Sequence, residues 1–386
     1  MKKISVVTAT RAEYGLLKNF IVALKKEKNL EVEVVVTGAH LSKAYGSTYH
    51  ELEKDGITID KKIDILVDGT SAVAVSKSMG LAVIGFAEYF DESKPDAVLL
   101  LGDRYEILAV ACAAMNSRIP IFHLYGGETT EGAIDEAIRH SITKMSYLHF
   151  TSTEAYRKRV IQLGESPDRV FNVGAVGVEN VLKEPKLSKE DLQESIGMKL
   201  DSPYVVVTFH PVTLEGNVRV QCEELIKAIN AFPQYKYIIT GANADNGGSI
   251  INKIFENFAI KHDNVYFTLS LGLKKYLSAL QYASFILGNS SSGIVEGPSF
   301  GIPTINIGNR QKGRIQANSV INVGTEANAI IDAINLAMSD VFRNIAKKTI
   351  NPYGDGNTVS KTVSIIKDQL LNHNINLAKK FHDIKI

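Results

Sequence analysis

Tryptophan is absent and cysteine nearly so, with Cys112 and Cys222 the only two in 386 residues. They lie in opposite halves of the chain and form no Cys-x-x-Cys spacing. Neither a zinc knuckle nor a disulfide framework is supported, and a reducing compartment is expected. Charge of one sign is not in excess, because 43 Lys and Arg stand against 42 Asp and Glu, leaving +1. That balance excludes the clustered basic surface that duplex nucleic acid or an anionic membrane requires. Any bound anion must be held by a few placed groups. No apolar run approaches the roughly 18–20 residues of a membrane span. The stretch Ile4–Val7 that follows Met1-Lys2-Lys3 is too short for a signal-peptide core. The expectation is a soluble cytoplasmic protein with no nucleic-acid or membrane partner.

What is present is length for two domains and a twice-repeated alternation of short apolar strands with amphipathic helices. In the first half, Ile4–Ala9, Val32–Thr37, Ala97–Leu101, Ile121–Tyr125, His149–Thr151 and Val170–Val173 read as strands. Helices are expected between them, among them Tyr14–Lys26, Ala72–Tyr89, Ile107–Met115, Ile134–Met145 and Glu154–Leu163. The apolar Ala72–Tyr89 reads equally as a core helix or an interface. From 175 to 202 the strand signal stops, and Lys183-Glu184-Pro185-Lys186 with a charged helix capped by Ser188 reads as a linker. Strands resume at Tyr204–Phe209, Tyr237–Thr240, Val265–Phe267, Ser284–Leu287 and Thr304–Ile307. Uniformly apolar strands alternating with helices imply parallel sheets covered on both faces. The expected domains are residues 1–174 and 203–357, with a final helix in 358–386 that could pack back on the first. Ligands of such sheets sit beyond the carboxyl ends of the strands, so the polar residues there are the informative ones.

Five constellations occupy those ends. Thr8-Ala9-Thr10-Arg11-Ala12-Glu13-Tyr14-Gly15 replaces the G-x-G-x-x-G of a dinucleotide fold, which demotes NAD and FAD. Arg11 at a helix start suits an anion, or else simply pairs with Glu13. Gly102-Asp103-Arg104-Tyr105-Glu106 offers an acid beside a phosphate clamp, and reads equally as a helix cap with Glu106 three residues on. The loop from His123 to His140 gathers Glu128, Glu131, Asp135 and Glu136 after Gly126-Gly127. Those acids would also suit a helix N-terminus by charge alone, and Asp135 with Arg139 could be a plain surface pair. Glu136 and His140 share a helix face, but no further His or Cys completes a metal set, so no metal is expected. Phe209-His210-Pro211 puts a histidine at a strand tip. Gly288-Asn289-Ser290-Ser291-Ser292-Gly293 reads as a phosphate cradle without a Walker lysine. Glu296 follows it as a ribose acceptor, and Asn309-Arg310-Gln311-Lys312-Gly313-Arg314 supplies cations. Together the last two fit a nucleoside diphosphate.

These strings resemble the UDP-N-acetylglucosamine 2-epimerase family, in particular its hydrolysing branch, over essentially the whole chain. The non-hydrolysing branch usually carries Arg-Pro-Glu where this chain has Arg11-Ala12-Glu13. The resemblance implies a GT-B-like α/β fold, two Rossmann-like doubly wound domains with a cleft between them. It implies cleavage of UDP-N-acetylglucosamine by water, with inversion at C2, to N-acetylmannosamine and UDP, in a sialic-acid or related pathway. By matching position, Asp103 and Asp135 fall among catalytic carboxylates. His210, Asn243, Ser290, Ser291, Glu296 and Arg310 fall at the nucleotide, and Arg11 and Arg104 at its phosphates. Many hydrolysing members read His-x-Glu-Gly-Gly, whereas here the third residue is Tyr125. Either Glu128 supplies the acid or the pocket suits another sugar, such as UDP-N,N'-diacetylbacillosamine. The chemistry requires no cofactor or metal. A homo-oligomer, dimer or tetramer, is also implied. A GT-B glycosyltransferase and a sugar-nucleotide binding protein are the competing readings.

Overall fold

The computed structural model describes residues 1–67, 69, 71–131, 134–211, 217–242 and 247–384. Its contacts divide the chain into two compact units. The first holds Met1–Glu128, Ile134–Val176 and Asn357–Ile386, and the second Thr129–Ala133 and Gly177–Gly356.

The first unit opens with β1 (Lys2–Thr8), α1 (Arg11–Lys25), β2 (Leu30–Thr37), α2 (Tyr49–Lys54), β3 (Lys61–Ile63) and α3 (Ala72–Ser93). It continues with β4 (Ala97–Leu101), α4 (Tyr105–Asn116), β5 (Ile121–Leu124), α5 (Asp135–Met145), β6 (Leu148–Thr151), α6 (Glu154–Gln162) and β7 (Val170–Asn172). All strand pairs are parallel, in the order β3-β2-β1-β4-β5-β6-β7. Side-chain alternation divides the core into two layers. Ile4, Val6, Val34 and Leu99 pack with Leu17, Phe20 and Ile21 of α1 on one face. Val7, Val35, Val98 and Leu100 pack with Phe86 and Phe90 of α3 and Val110 of α4 on the other. Each such side chain removed from water contributes roughly 1.5–3 kcal/mol.

Helix α3 is long and apolar enough, by length and composition, to cross a membrane. No unbroken apolar run marks it in the sequence because Ser76-Lys77-Ser78 and Glu88 interrupt it. Its buried stripe, Ala74, Ser78, Ala82, Phe86, Tyr89 and Phe90, lies on the unit core, while Val73, Leu81 and Ile84 are exposed.

In the second unit α7 (Val176–Lys183) and α8 (Lys189–Ile196) precede β8 (Tyr204–Thr208), α9 (Val218–Asn230), β9 (Lys236–Thr240) and α10 (Gly248–Ile260). There follow β10 (Val265–Thr268), α11 (Gly272–Tyr282), β11 (Phe285–Gly288), α12 (Ser291–Val295), β12 (Thr304–Ile307), β13 (Val320–Val323), α13 (Ala327–Met338) and α14 (Asp340–Lys347). The parallel sheet runs β10-β9-β8-β11-β12-β13. Two helices thus occupy the stretch read as a linker, and Leu192 and Ile196 of α8 join the core with Val206, Ile238 and Ile286. The strand signal stops there because the segment is helical.

The chain returns to the first unit through α15 (Thr358–Asn372), whose Val359, Val363, Ile366 and Leu370 enter the core beside α1. Beyond it an irregular tail is latched. Lys379 Nζ donates to both oxygens of buried Glu165 at 3.0 and 2.8 Å and to the carbonyls of Lys144 and Ser146. Burial pushes the Glu165 carboxyl up, but hydrogen bonds from His149, Lys144 and Lys379 outweigh it and hold it at about 2. A carboxyl lowered on folding contributes stability above its unfolded value, roughly 4.3, and loses it as pH falls. Unfolding free energy measured in urea should therefore drop between about pH 4.5 and pH 2. Lys379→Ala should cost about 2 kcal/mol, less than a fully broken buried pair because Lys144 remains. A variant as stable as the parent at pH 7 would show that the latch carries no load.

Candidate active site

The strand order of the first unit reverses between β1 and β4, the place where open α/β sheets gather ligands. After β1, Thr10 caps α1 by accepting from Glu13 N at 3.3 Å. Glu13 turns back to accept from Ala9 N at 2.7 Å, a variant of the capping box. Its carboxyl is buried and pushed up to about 7 by desolvation. The alternative pairing of Arg11 with Glu13 therefore gives way to a backbone bond, and Arg11 is exposed.

After β4, Gly102 has φ +82°, and the N-cap position of α4 belongs to Arg104 without a side-chain cap bond. Asp103 therefore does not cap the helix. One of its oxygens, Oδ2, accepts from Arg139 Nε at 2.8 Å and also from Arg139 Nη2. Arg104 reaches buried Glu106 with Nε and Nη2 at 3.3 and 3.4 Å. His123, buried in β5, bonds the Gly102 carbonyl through Nε2 at 2.8 Å and so fixes the same turn. Desolvation lowers its imidazole to about 4, so the ring is neutral near pH 7.

After β5 the chain turns at Tyr125 (φ +70°) and Gly127 (φ +77°). The Tyr125 hydroxyl accepts from Val176 N at 2.9 Å. Gly127 is required, since a Cβ there would lie 2.5 Å from the Tyr156 carbonyl oxygen. Glu128, 7 % exposed, accepts from Ser152 Oγ at 2.7 Å. Its carbonyl accepts from Arg139 Nη1 at 2.8 Å. Asp135 opens α5 half-buried, and burial followed by the nearby Asp103 charge pushes its carboxyl up. Glu136 accepts from Arg139 Nη1 at 2.6 Å and lies 3.2 Å from His140 Nε2. Arg139 is 1 % exposed, so the reading of Asp135 and Arg139 as a surface pair is corrected. Its guanidinium is taken into the acid cluster.

In the second unit the reversal lies between β8 and β11. Asn289, fully buried, joins the two strand ends. It accepts from His210 N at 2.7 Å and donates to the His210 carbonyl at 2.8 Å. The Asn289 carbonyl accepts from Gln311 Nε2 at 2.9 Å and Arg310 Nη1 at 3.2 Å. Desolvation, then the Arg310 charge, lowers the His210 imidazole to about 3. That neutral ring can accept as well as donate. Ser290 caps α12 by accepting from Ser292 N at 3.3 Å, leaving Ser291 half-buried in its first turn. With five residues, α12 has little dipole to offer, so donors there are the N–H groups and serine hydroxyls. A Cβ on Gly177 would lie 2.0 Å from Glu296 Oε1, so this carboxylate rests directly on the start of α7. Asn243 lies outside the described residues.

The structure thus gathers Asp103, Glu128 and Asp135 in the first unit. It gathers His210, Ser290 and Arg310 around Asn289 in the second. Two organising residues, Arg139 and Asn289, were not among the sequence candidates for site roles. Arg139 showed an i, i+4 relation to Asp135 and a place in the family-like string Ile138-Arg139-His140, and Asn289 stood inside the glycine–serine string, each without a role. Their burial, not their spacing, is what marks them.

A family model described as UDP-N-acetylglucosamine 2-epimerase matches residues 22–367. Polysialic acid biosynthesis protein P7 of Escherichia coli is 43 % identical over 386 residues, covering 100 % of this chain and 98 % of its own. The GDP/UDP-N,N'-diacetylbacillosamine 2-epimerase (hydrolyzing) of Campylobacter jejuni is 44 % identical over 345 residues, 89 % of each chain. The solved structure of Methanocaldococcus jannaschii UDP-GlcNAc 2-epimerase, in complex with UDP-GlcNAc and UDP, superposes with a TM-score of 0.77. It is 19 % identical and covers 95 % of this chain and 99 % of that one, a likeness of fold.

Proposed function

The chain belongs to the UDP-N-acetylglucosamine 2-epimerase family, and from that premise we propose that it is a hydrolysing UDP-sugar 2-epimerase. The observation that carries the reading is the gathering of three acids, Asp103, Glu128 and Asp135, about one buried guanidinium. In this reading the C1–O bond breaks with its electron pair leaving on UDP, whose charge is met by Arg11, Arg104 and Arg310. Such stabilisation of the leaving group matters more than protonating it. Positive charge at C1 acidifies the C2 proton. Asp103, beside a fixed cation, takes that proton, and the C–H electrons form the C1–C2 double bond. Asp135, whose carboxyl is pushed up, then donates a proton to C2 from the opposite face. Water adds to C1 and gives its proton to the emptied Asp135, while Asp103 returns its own to solvent. Glu128 orients the sugar or the water. His210, Asn243, Ser290, Ser291 and Glu296 hold the nucleotide. The same reading includes a homo-oligomer, for which the exposed Val73, Leu81 and Ile84 of α3 offer an apolar face.

The sugar is proposed to be UDP-N-acetylglucosamine, giving N-acetylmannosamine and UDP. The Campylobacter relative's name favours UDP-N,N'-diacetylbacillosamine as the second reading. Parallel assays of the two sugar nucleotides, with free sugar and UDP quantified, decide between them. A kcat/KM at least about tenfold higher for one fixes the substrate, since a difference in pocket contacts of about 1.4 kcal/mol suffices. UDP-sugar epimer accumulating without UDP release would overturn hydrolysis. UDP release only with a sugar acceptor would make the protein a transferase, and binding without turnover would make it a binding protein.

A further inference from the structure

We propose that Arg139 is a positioning residue, gripping Asp103 by one oxygen so that the other, Oδ1, is presented to the substrate; this rests on the hydrolysing reading above. Arg139 Nε and Nη2 both donate to Oδ2. Among the described residues no hydrogen bond reaches Oδ1, on a side chain that is 27 % exposed. A carboxylate held in this way has one oxygen spent on orientation and one open to receive a proton. The same guanidinium, through Nη1, holds the Glu128 carbonyl at 2.8 Å and the Glu136 carboxylate at 2.6 Å. One side chain on α5 thereby fixes the turn after β4, the loop after β5 and the first turn of its own helix. Those three segments carry the acids that the proposed reaction needs.

Stability alone is a poor reason for this arrangement. A buried ion pair seldom stabilises more than apolar side chains of similar volume, because desolvation offsets the attraction. Geometry is what a planar five-donor fork supplies and a lysine does not. Arg139 is 1 % exposed, so it acts through Asp103 and Glu128 and not on the substrate.

The test is a double-mutant cycle on the full chain with the preferred UDP-sugar. It uses Arg139→Met, Arg139→Lys, Asp103→Asn and the double variant Arg139→Met with Asp103→Asn. Arg139→Met is expected to lower kcat about 100-fold with KM within about threefold, because orientation is lost while nucleotide contacts remain. Arg139→Lys should recover part of that loss, and the deuterium isotope effect at C2 should rise in both. In the Asp103→Asn background, adding Arg139→Met should cost less than about threefold, as residues acting as one unit are non-additive. Losses that multiply, or a change confined to KM, would overturn the proposal. If Arg139→Met fails to fold by circular dichroism, Arg139→Lys carries the comparison, and full activity in it overturns the proposal. A parent protein that turns over no UDP-sugar would instead sink the hydrolysing reading, and the role for Arg139 with it.

Discussion

Asp103→Asn should abolish all but about a thousandth of UDP release while leaving the affinity for UDP within about threefold. Asparagine is isosteric and can still accept from Arg139, so the turn after β4 keeps its place. What disappears is the oxygen that accepts a proton, and a positioned base is worth about 10²–10⁴ in rate. Nucleotide affinity is spared because the proposed nucleotide contacts lie in the other unit and on Arg11 and Arg104. A continuous assay for UDP, with calorimetric titration of UDP into the same preparation, measures both. A loss below about tenfold would remove Asp103 from the chemistry. Parallel losses in rate and affinity would make it a binding residue.

Gly288→Ala should have the largest effect on stability. Gly288 ends β11 at φ +133° and pairs with Thr208 of β8. A Cβ there would stand 2.0 Å from the Thr208 carbonyl oxygen and 2.8 Å from its carbon, both backbone. Neither can move without parting the two central strands of the second unit. The backbone conformation is itself nearly closed to residues with a Cβ. The expected cost exceeds about 4 kcal/mol, in the range reserved for named structural failures. Urea unfolding and UDP binding should both report it, because the strand end that Asn289 ties to His210 would be displaced. Gly15→Ala serves as the contrast. Nothing lies within 4 Å of a Cβ at that helical position, and alanine there should be neutral or stabilising by up to about 1 kcal/mol. Equal effects at the two positions would contradict the geometry.

Much of this was legible in the sequence, and for definite reasons. Strands such as Ala97–Leu101 and Tyr204–Phe209 are uniformly apolar because both faces are covered, so their class emerges from pattern alone. The acids and the glycine–serine turn stand directly after those strands, where the topology collects ligands. Short, mixed elements were not legible. Lys61–Ile63 is a three-residue edge strand, and Val320–Val323 is broken by Asn322, so neither has the length to show a period. The stretch after residue 175 looked like a linker because α8 is charged, although Leu192 and Ile196 are buried.

Within the site, residue types were readable and partners were not. Asp103 satisfied the rule for a helix cap as well as that for a catalytic acid, and the first is set aside by Arg104 at the N-cap and by the bonds that tie Asp103 to Arg139 instead. Tyr125 stood out as a departure from a pattern. Its hydroxyl meets Val176 N, a contact 51 residues away in sequence that no local rule contains. Arg139 looked like half of a surface pair because helical spacing reports faces, not depth. Asn243 falls outside the described residues, and its place at the nucleotide belongs to the proposal.

Proton NMR of the reaction in deuterated water tests the central claim most directly, following the sugar and UDP together. The account predicts free sugar of inverted C2 configuration, carrying deuterium at C2 in every molecule formed, with one UDP released for each. Free sugar that keeps its C2 proton would contradict it, because no carboxylate would then have removed that proton, and so would retained configuration, because no second acid would then have delivered a proton to the opposite face.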